Sequence, residues 1–541
     1  MTLQASLFIE TAHMGPNRLF LILLLFPAVH SEERLVDHGG PELKVDGPVL
    51  APIQHKKYFV DEREQFGYNP RFVPGPVSFG PDNRPYIWLG RTLITLNEDG
   101  RWYELDVSKA VREKYDDVLH GVTVLDPHLC FDADGDAYLI VRAGFLRRAN
   151  LFRETPTRRE EGFGLLHSRD GCLTWEFYET VSPAIYSTPF NRKLYTGAER
   201  IEKYEAHNQT IGPPPMVEGR GRELAIFIAT KKPDGTLNPP KPILVADARP
   251  PVVGKGRNWI TPAHSGCGNV TATFGGKTHL VWLSIQPYEW HKEEVDKLPS
   301  EMEGEYTPYG RRYKDGLGAL APCYVRTFDH KTGKLGKRSL LGFTRRDNHN
   351  GPVISVDSKG NLHVVIGAHH DNFMYTRSLK PNSSEDGWTP PRMFGTPNPP
   401  KGAGSYTYQA MVVDPDDTLH LVSRWAGSGY YFRLVYQRKK AGQDWEPHKE
   451  LVIPFRWGYS VWYHKLNIDR LGRLFLNYVY YPAELKADER EAYNKKYPED
   501  KGAIRSHGAC ILVSDDGGDS WRLAVTSDFV KGMKKGDKND E

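Results

Sequence analysis

The chain has 541 residues, of which 71 are Lys or Arg and 68 are Asp or Glu, leaving a formal net charge of +3. So near a balance creates no long-range field for nucleic acid or a membrane surface, and neither is expected as a partner. Glycine (51), proline (40) and aromatic residues (12%) are plentiful, and helix-period apolar patterns are nearly absent after the first thirty or so positions, which excludes a helical bundle and points to many short strands.

At the N-terminus, Asn17 and Arg18 precede the apolar run 19–26, and Val29-His30-Ser31 offers a cleavage point before Glu32. Residues 1–31 read as a secretory signal, with Met14 as an alternative start. The run is too short to span a bilayer, so the expectation is a secreted or periplasmic protein without membrane insertion. Five cysteines, Cys130, Cys172, Cys267, Cys323 and Cys510, are odd in number and lack close pairing. They predict no disulfide framework and read as small buried residues.

From residue 50 to 528 a turn followed by alternating apolar residues recurs. With Tyr86, Tyr138, Ala225, His279, His363, His420 and Phe475 as anchors, the intervals are 52, 87, 54, 84, 57 and 55 residues. A four-stranded blade needs about 40–50 residues, so the spacing predicts one all-β domain, a seven-bladed β-propeller with long inserted loops in the two long intervals. His279, His363 and His420 share one repeat position and are expected to be structural. The insert near 145–215 is rich in Arg, Glu and Pro. The insert near 286–318 carries Trp290, Arg311 and Arg312, residue types that stack sugar rings and bind sulfate.

Two turn signatures support the propeller. The segment 514–521 fits the Asp-box pattern Ser-x-Asp-x-Gly-x-Thr/Ser-Trp, and 168–175 is a near copy with Cys172 where glycine is expected. Their aspartates should bond backbone N–H groups while Trp521 and Trp175 pack beneath, a structural role that leaves chemistry open. After residue 529 the chain is rich in Lys, Gly and Asp and reads as a disordered tail.

The chemistry concentrates between residues 345 and 425. Asp347-Asn348-His349-Asn350-Gly351-Pro352 is followed by Gly367-Ala368-His369-His370, then by Tyr406 and Tyr408, and then by Arg424 sixteen residues beyond Tyr408. Cleavage of a uronate polymer by elimination needs a base for the proton beside the carboxylate, a group that neutralises the carboxylate, and an acid for the leaving oxygen. Two histidines, a tyrosine and an arginine are sufficient for these tasks. Lys331, Lys334, Lys337, Arg338, Arg345 and Arg346 lie just upstream, either as a surface for a sulfated polyanion or as a solvated loop.

The order His-Asn-x-Pro, a strand with a glycine turn, Gly-x-His twenty residues after the first histidine, Tyr-Thr-Tyr and the later arginine resembles the β-propeller polysaccharide lyases that degrade ulvan, a sulfated, uronate-rich polymer. The likeness covers roughly residues 265–450 and includes the upstream phrase 324–333. It departs from that family in the 260 or so residues that come first, and in His370, where asparagine is usual. The resemblance implies His349, His369, Tyr408 and Arg424 as catalytic residues. Arg424 would neutralise the carboxylate, His349 or Tyr408 would take the proton while the other donates to the leaving oxygen, and His369 would assist at the carboxylate. Asn348, Asn350, His370, Tyr406, Trp290, Arg311, Arg312 and Arg346 are the expected substrate contacts. The chemistry requires no cofactor. A structural divalent cation, Ca or Zn, is compatible with such propellers, but His464, His507 and Cys510 lack a strong metal spacing and no metal is assigned. The expected partner is an anionic polysaccharide and the expected state a monomer. The rival readings are a sialidase-like glycoside hydrolase and a carbohydrate-binding propeller without catalysis.

Overall fold

The computed structural model describes residues 49–50, 77–89, 92–97, 100–115, 119–145, 160–180, 194–196, 198–199, 209–210, 216–219, 223–247, 259–261, 268–285, 320–345, 349–394, 405–426, 432–453, 461–483, 491, 495 and 506–533. The signal 1–31 and the inserted segment 286–318 fall outside them.

The described strands form seven sheets, taken here in chain order. Sheet 1 comprises Val77–Phe79, Pro85–Leu89, Thr92–Leu96 and Trp102–Leu105. Sheet 2 is built from Leu119–Asp132, Ala137–Phe145, Glu160–Ser168 and Glu176–Thr180, and sheet 3 from Leu194–Thr196, Met216–Gly219, Glu223–Lys231 and Leu237–Asp247. Sheet 4 centres on Thr271–Phe274, Lys277–Ile285, Leu320–Asp329 and Ser339–Arg345; sheet 5 is Val353–Val356, Leu362–Ile366, Met374–Arg377 and Arg392–Met393. Sheet 6 is Ser405–Val413, Leu419–Ala426, Phe432–Lys439 and Lys449–Ile453, and sheet 7 is Val461–Ile468, Leu474–Ala483, Ser506–Ser514 and Arg522–Leu523. Successive strands pair antiparallel, and most neighbouring sheets pack through their first strands, with sheet 7 returning to sheet 1 through Leu474–Ala483 against Val77–Phe79. This is a β-propeller.

The expectation of seven blades is corrected to six regular ones. In six sheets the main strands succeed one another along the chain; the short strand His369–Asp371 leaves sheet 5 to edge sheet 6, and Val49–Leu50 pairs parallel with Lys449–Ile453 at that sheet's other edge. Sheet 3 is interrupted. Between its first two strands the chain makes Ala198–Glu199, which pairs parallel with Thr271–Phe274 of sheet 4, and Gln209–Thr210, which pairs parallel with Leu119–Asp132 of sheet 2. The long second interval in the repeat is therefore spent on joining neighbouring sheets rather than on a contiguous meander.

The repeat positions anchor turns. Asp357 Oδ1 accepts from the backbone N–H groups of Lys359 and Asn361 (3.0 and 2.8 Å), and Asp132, Asp414 and Asp469 cap the equivalent hairpins in the same way. At Asp132, Asp357 and Asp414 the second carboxylate oxygen then holds an aromatic or imidazole ring, and at Asp469 it accepts from Asn83 and Arg473. His363 bonds Asp357 through Nε2 (3.2 Å) and Tyr375 OH through Nδ1 (2.7 Å); His420 does the same with Asp414 (3.0 Å) and Tyr436 (2.7 Å). In sheet 2 Tyr138 takes that place, donating to Asp132 Oδ2 at 2.7 Å and stacking on His167. His279 is fully buried between Thr327 Oγ1 and Asn382 Oδ1, both at 2.8 Å. All three repeat histidines are thus packing residues. Burial opposes ionisation of Asp357, but the bonds from His363 and Asn361 outweigh it and hold the carboxyl at about 2.

Both Asp-boxes form. Asp516 Oδ1 accepts from Ser514 Oγ (2.8 Å) and Ser520 N (2.9 Å), and Ser514 Oγ accepts from Gly518 N (2.9 Å). In the near copy Asp170 Oδ1 accepts from Ser168 Oγ and Thr174 N, and Trp175 Nε1 donates to the Cys172 carbonyl (3.1 Å). Gly518 has φ +87, a region open to glycine, and Cys172 is held at φ +72 in its place by the same Ser–Asp bonding. Asp516→Ala is expected to lower stability by about 1–3 kcal/mol in urea unfolding, because it leaves these donors without their acceptor. Cys130, Cys172 and Cys323 are free and buried, as the sequence leads one to expect; the side chains of Cys267 and Cys510 lie outside the described set.

Among the described residues two helices of a turn or more accompany the strands: α1 (Val107–Lys114), whose N-terminus is capped by the Asp106 carboxylate on Lys109 N (2.8 Å), and α2 (Thr526–Gly532). The tail expected from residue 529 overlaps α2, and residues 534–541 lie outside the described residues. Phe529 is fully buried against Trp102 of sheet 1 (5.5 Å) and Phe475 of sheet 7 (5.3 Å). Asn83 donates to both Asp469 Oδ2 and the Gly532 carbonyl (3.0 Å each), while Arg522 pairs with Asp528 (2.6 Å). α2 thereby ties the last sheet to the first.

Candidate active site

The first strands of sheets 5 and 6 bring the residues singled out above to one end of the ring. His349 lies four residues before the strand Val353–Val356, and His369 opens the strand that crosses to sheet 6, with Thr407 as its partner in register. The two imidazole rings are 4.5 Å apart between centroids. Close backbone packing makes this approach possible. Thr344 Oγ1 donates to the Gly367 carbonyl (2.7 Å) and Asn350 Nδ2 donates to Thr344 Oγ1 (3.1 Å), drawing the two histidine segments together. A Cβ on Gly367 would lie 2.4–2.6 Å from the backbone of Asn350 and Gly351, so only glycine fits there.

Tyr408 reaches the same place by a break in the strand. The register of Ser405–Val413 against Leu419–Ala426 runs Thr407↔Arg424 and then Ala410↔Val422, which sets Tyr408 and Gln409 against Ser423 alone. This is a β-bulge, and Tyr408 pays for it with φ +57. Gln409, the second bulge residue, donates through Nε2 to the Gly351 carbonyl of sheet 5. The Tyr408 ring stands edge-on to His349 at 5.9 Å.

Arg424 is placed behind Tyr408. Its guanidinium carbon is 4.5 Å from the centre of the Tyr408 ring and 4.3 Å from that of Phe432, and the residue is 0% exposed. Tyr408 is 4% exposed, whereas His349 and His369 are half-buried. The charge therefore faces the phenol ring, a position the spacing of sixteen residues could not distinguish from an exposed clamp. A cation against an aromatic face stabilises negative charge that develops on the phenolic oxygen.

Several expected substrate contacts have other partners. Asn350 is fully buried and spends its amide on Thr344. Tyr406 is buried on the opposite face of its strand, stacked on Phe373 (5.2 Å) and hydrogen-bonded to His448 Nδ1 (2.6 Å). These two residues support the site instead of lining it. His370 lies in the strand beside His369, with its side chain outside the described set; Asn348, Trp290, Arg311, Arg312 and Arg346 also lie outside the described residues. The basic cluster divides. Lys331, Lys334, Lys337 and Arg338 belong to the hairpin beyond Asp329, and Arg338 stacks on Tyr324 (4.8 Å). The strand Ser339–Arg345 then runs about 20 Å back toward His349, so those four cations sit at the other end of sheet 4 from the histidines.

One residue at the site carries no motif that singles it out for this role. His464, fully buried in sheet 7, donates from Nε2 to the Val422 carbonyl (2.9 Å), and the Arg424 guanidinium and the Tyr408 carbonyl are among its polar neighbours. Burial, with the nearby Lys465 and Arg424 charges, pushes its pKa down to about 3. Among the described residues no group of three or more His, Cys, Asp and Glu side chains is arranged to hold a metal ion, and no helix is long and apolar enough to cross a membrane.

The fold is a β-propeller that carries two Asp-box turns. Residues 324–530, which include His349, His369, Tyr408 and Arg424, match the family model described as a BNR repeat-containing family member. No curated protein matches the chain. Among solved structures, a PL25 ulvan lyase is 13% identical over 49% of this chain and 55% of its own, with a TM-score of 0.33, so the chain spans about half the length of that enzyme. The α-L-arabinanase of Penicillium chrysogenum, complexed with arabinobiose, is 13% identical over 66% of this chain and 90% of its own (TM-score 0.32). The Hadza microbial sialidase Hz136 is 12% identical over 74% of this chain and 71% of its own (TM-score 0.32).

Proposed function

We propose that this propeller is a polysaccharide lyase that cleaves a uronate-containing, sulfated polysaccharide of the ulvan kind by β-elimination. The observation that carries the reading is the convergence of His349, His369 and Tyr408 within ring contact, with the Arg424 charge seated under the tyrosine. Tyr408 takes the proton from the carbon beside the uronate carboxylate. The electron pair left behind forms the new carbon–carbon double bond, the bond to the glycosidic oxygen breaks, and His349 delivers a proton to that oxygen. His369, beside His349, holds the carboxylate. Arg424 assists by offsetting the charge that builds on the Tyr408 oxygen.

The N-terminal leader supports export, to the periplasm or the medium, where such a polymer would be met, and the protein would act there as a monomer. The test is ultraviolet absorbance during incubation of the mature protein with ulvan and a panel of other uronate polymers, with His349→Ala in parallel. A rise in absorbance that the variant loses, by about 10²–10⁴-fold in rate, is the expected result. A flat trace on every polymer, accompanied by new reducing ends, would replace elimination with hydrolysis; glycan binding without either product would leave a binding propeller.

A further inference from the structure

Sheets 6 and 7 break register at the same point. In sheet 7 the pairs Trp462↔Val479 and Lys465↔Asn477 leave Tyr463 and His464 opposite Tyr478 alone, as Tyr408 and Gln409 stand opposite Ser423 in sheet 6. The second residue of each bulge reaches back to the preceding sheet and donates to a backbone carbonyl: Gln409 to Gly351, and His464 to Val422. Val422 is the first residue paired regularly after the Tyr408 bulge, opposite Ala410, and lies two positions from Arg424. His464 therefore grips the strand at the point where the ladder is broken, next to the residue held in a left-handed backbone conformation.

A carbonyl oxygen only accepts, so the bond to Val422 requires the proton on Nε2. The fully buried ring has no room for hydration of a second charge, and neutrality leaves Arg424 as the cation that Tyr408 feels at this point. A left-handed tyrosine persists only where its surroundings over-determine it, because the conformation costs on the order of 1–3 kcal/mol.

We propose that His464 is a positioning residue for Tyr408: its Nε2–H bond to Val422 fixes the bulge of sheet 6 and so holds the phenol between Arg424 and His349. The proposal deepens the lyase reading and rests on it for its kinetic consequence. His464→Phe fills the site without a donor, and His464→Gln restores an N–H donor without a ring. The Phe variant is expected to lose kcat by about 10²-fold, as for a reacting group displaced by an ångström, with KM within about twofold of wild type. The Gln variant should recover most of that loss. In a crystal structure of the Phe variant, Tyr408 should leave positive φ and its ring should move away from His349.

If the Phe variant does not fold, His464→Leu removes the donor with less bulk and carries the same expectations. Unchanged kcat in the donor-less variant, or Tyr408 still in its left-handed conformation there, overturns the proposal. Equal losses in the Gln and Phe variants with equal falls in melting temperature would make His464 a packing residue and overturn it as well. Lack of unsaturated product from the wild-type protein would instead refute the lyase reading, and the Tyr408 conformation in the variant structure would still decide the positioning role.

Discussion

Tyr408→Phe is expected to reduce the rate of elimination by about 10²–10⁴-fold while leaving the fold intact. The substitution removes one oxygen and retains the ring that covers Arg424 at 4.5 Å and meets the edge of His349 at 5.9 Å. Packing, the cation–ring contact and the bulge are thus preserved, and the loss reports the hydroxyl alone. Arg424→Leu should produce a loss of similar kind but with a stability cost, since Arg424 is buried between the Tyr408 and Phe432 rings. Initial rates from the ultraviolet absorbance of the unsaturated product, with thermal unfolding as the control, check both. An unchanged rate for Tyr408→Phe would move proton abstraction to the histidine pair.

Mild acid is expected to destabilise the protein well before its carboxylates titrate. Burial pushes His279 down to about 4 and His464 to about 3, from an ordinary value near 6.5. Above that ordinary value neither the folded nor the unfolded chain binds these protons, and stability is at its full level. As the pH falls below it the unfolded state takes them up and the folded state does not, so stability declines until the folded groups titrate near 4 and 3. Each contributes on the order of 3 kcal/mol across that interval. Asp357, held at about 2, is lost in a separate and lower window, between its ordinary carboxylate value and its folded one. Urea unfolding at neutral pH and at about one unit above the folded His279 value should therefore differ by several kcal/mol. In His279→Gln, which keeps polar contacts to Thr327 and Asn382 without a titrating ring, the difference should shrink. Parallel pH profiles for wild type and this variant would refute the assignment to His279.

The repeat histidines show how far a linear reading reaches. His363 and His420 follow an aspartate by six residues and sit on the strand after its turn, and that local spacing suffices for the Asp–His–Tyr chains of sheets 5 and 6. The Asp-boxes were legible for the same reason, since every bond in them is made within eight residues. Tyr406 shows where the reading stops. Period-two alternation places Tyr406 and Tyr408 on one face, but the bulge between Thr407 and Ala410 inserts a residue, and the two side chains part, one to Phe373 and His448, the other to His349 and Arg424.

Composition, turn signatures and strand periodicity were enough to determine an all-β propeller, because hairpins and blades are built from contacts close in sequence. Only the tertiary structure decided that Arg424 lies beneath Tyr408, that the cations of the hairpin beyond Asp329 sit at the far end of their sheet from the histidines, and that His464 bonds the strand of Arg424. Those facts depend on which end of a strand a residue occupies and on which sheet packs behind it. Sheet-to-sheet packing around a ring joins residues far apart in the chain, and no spacing within one blade encodes it.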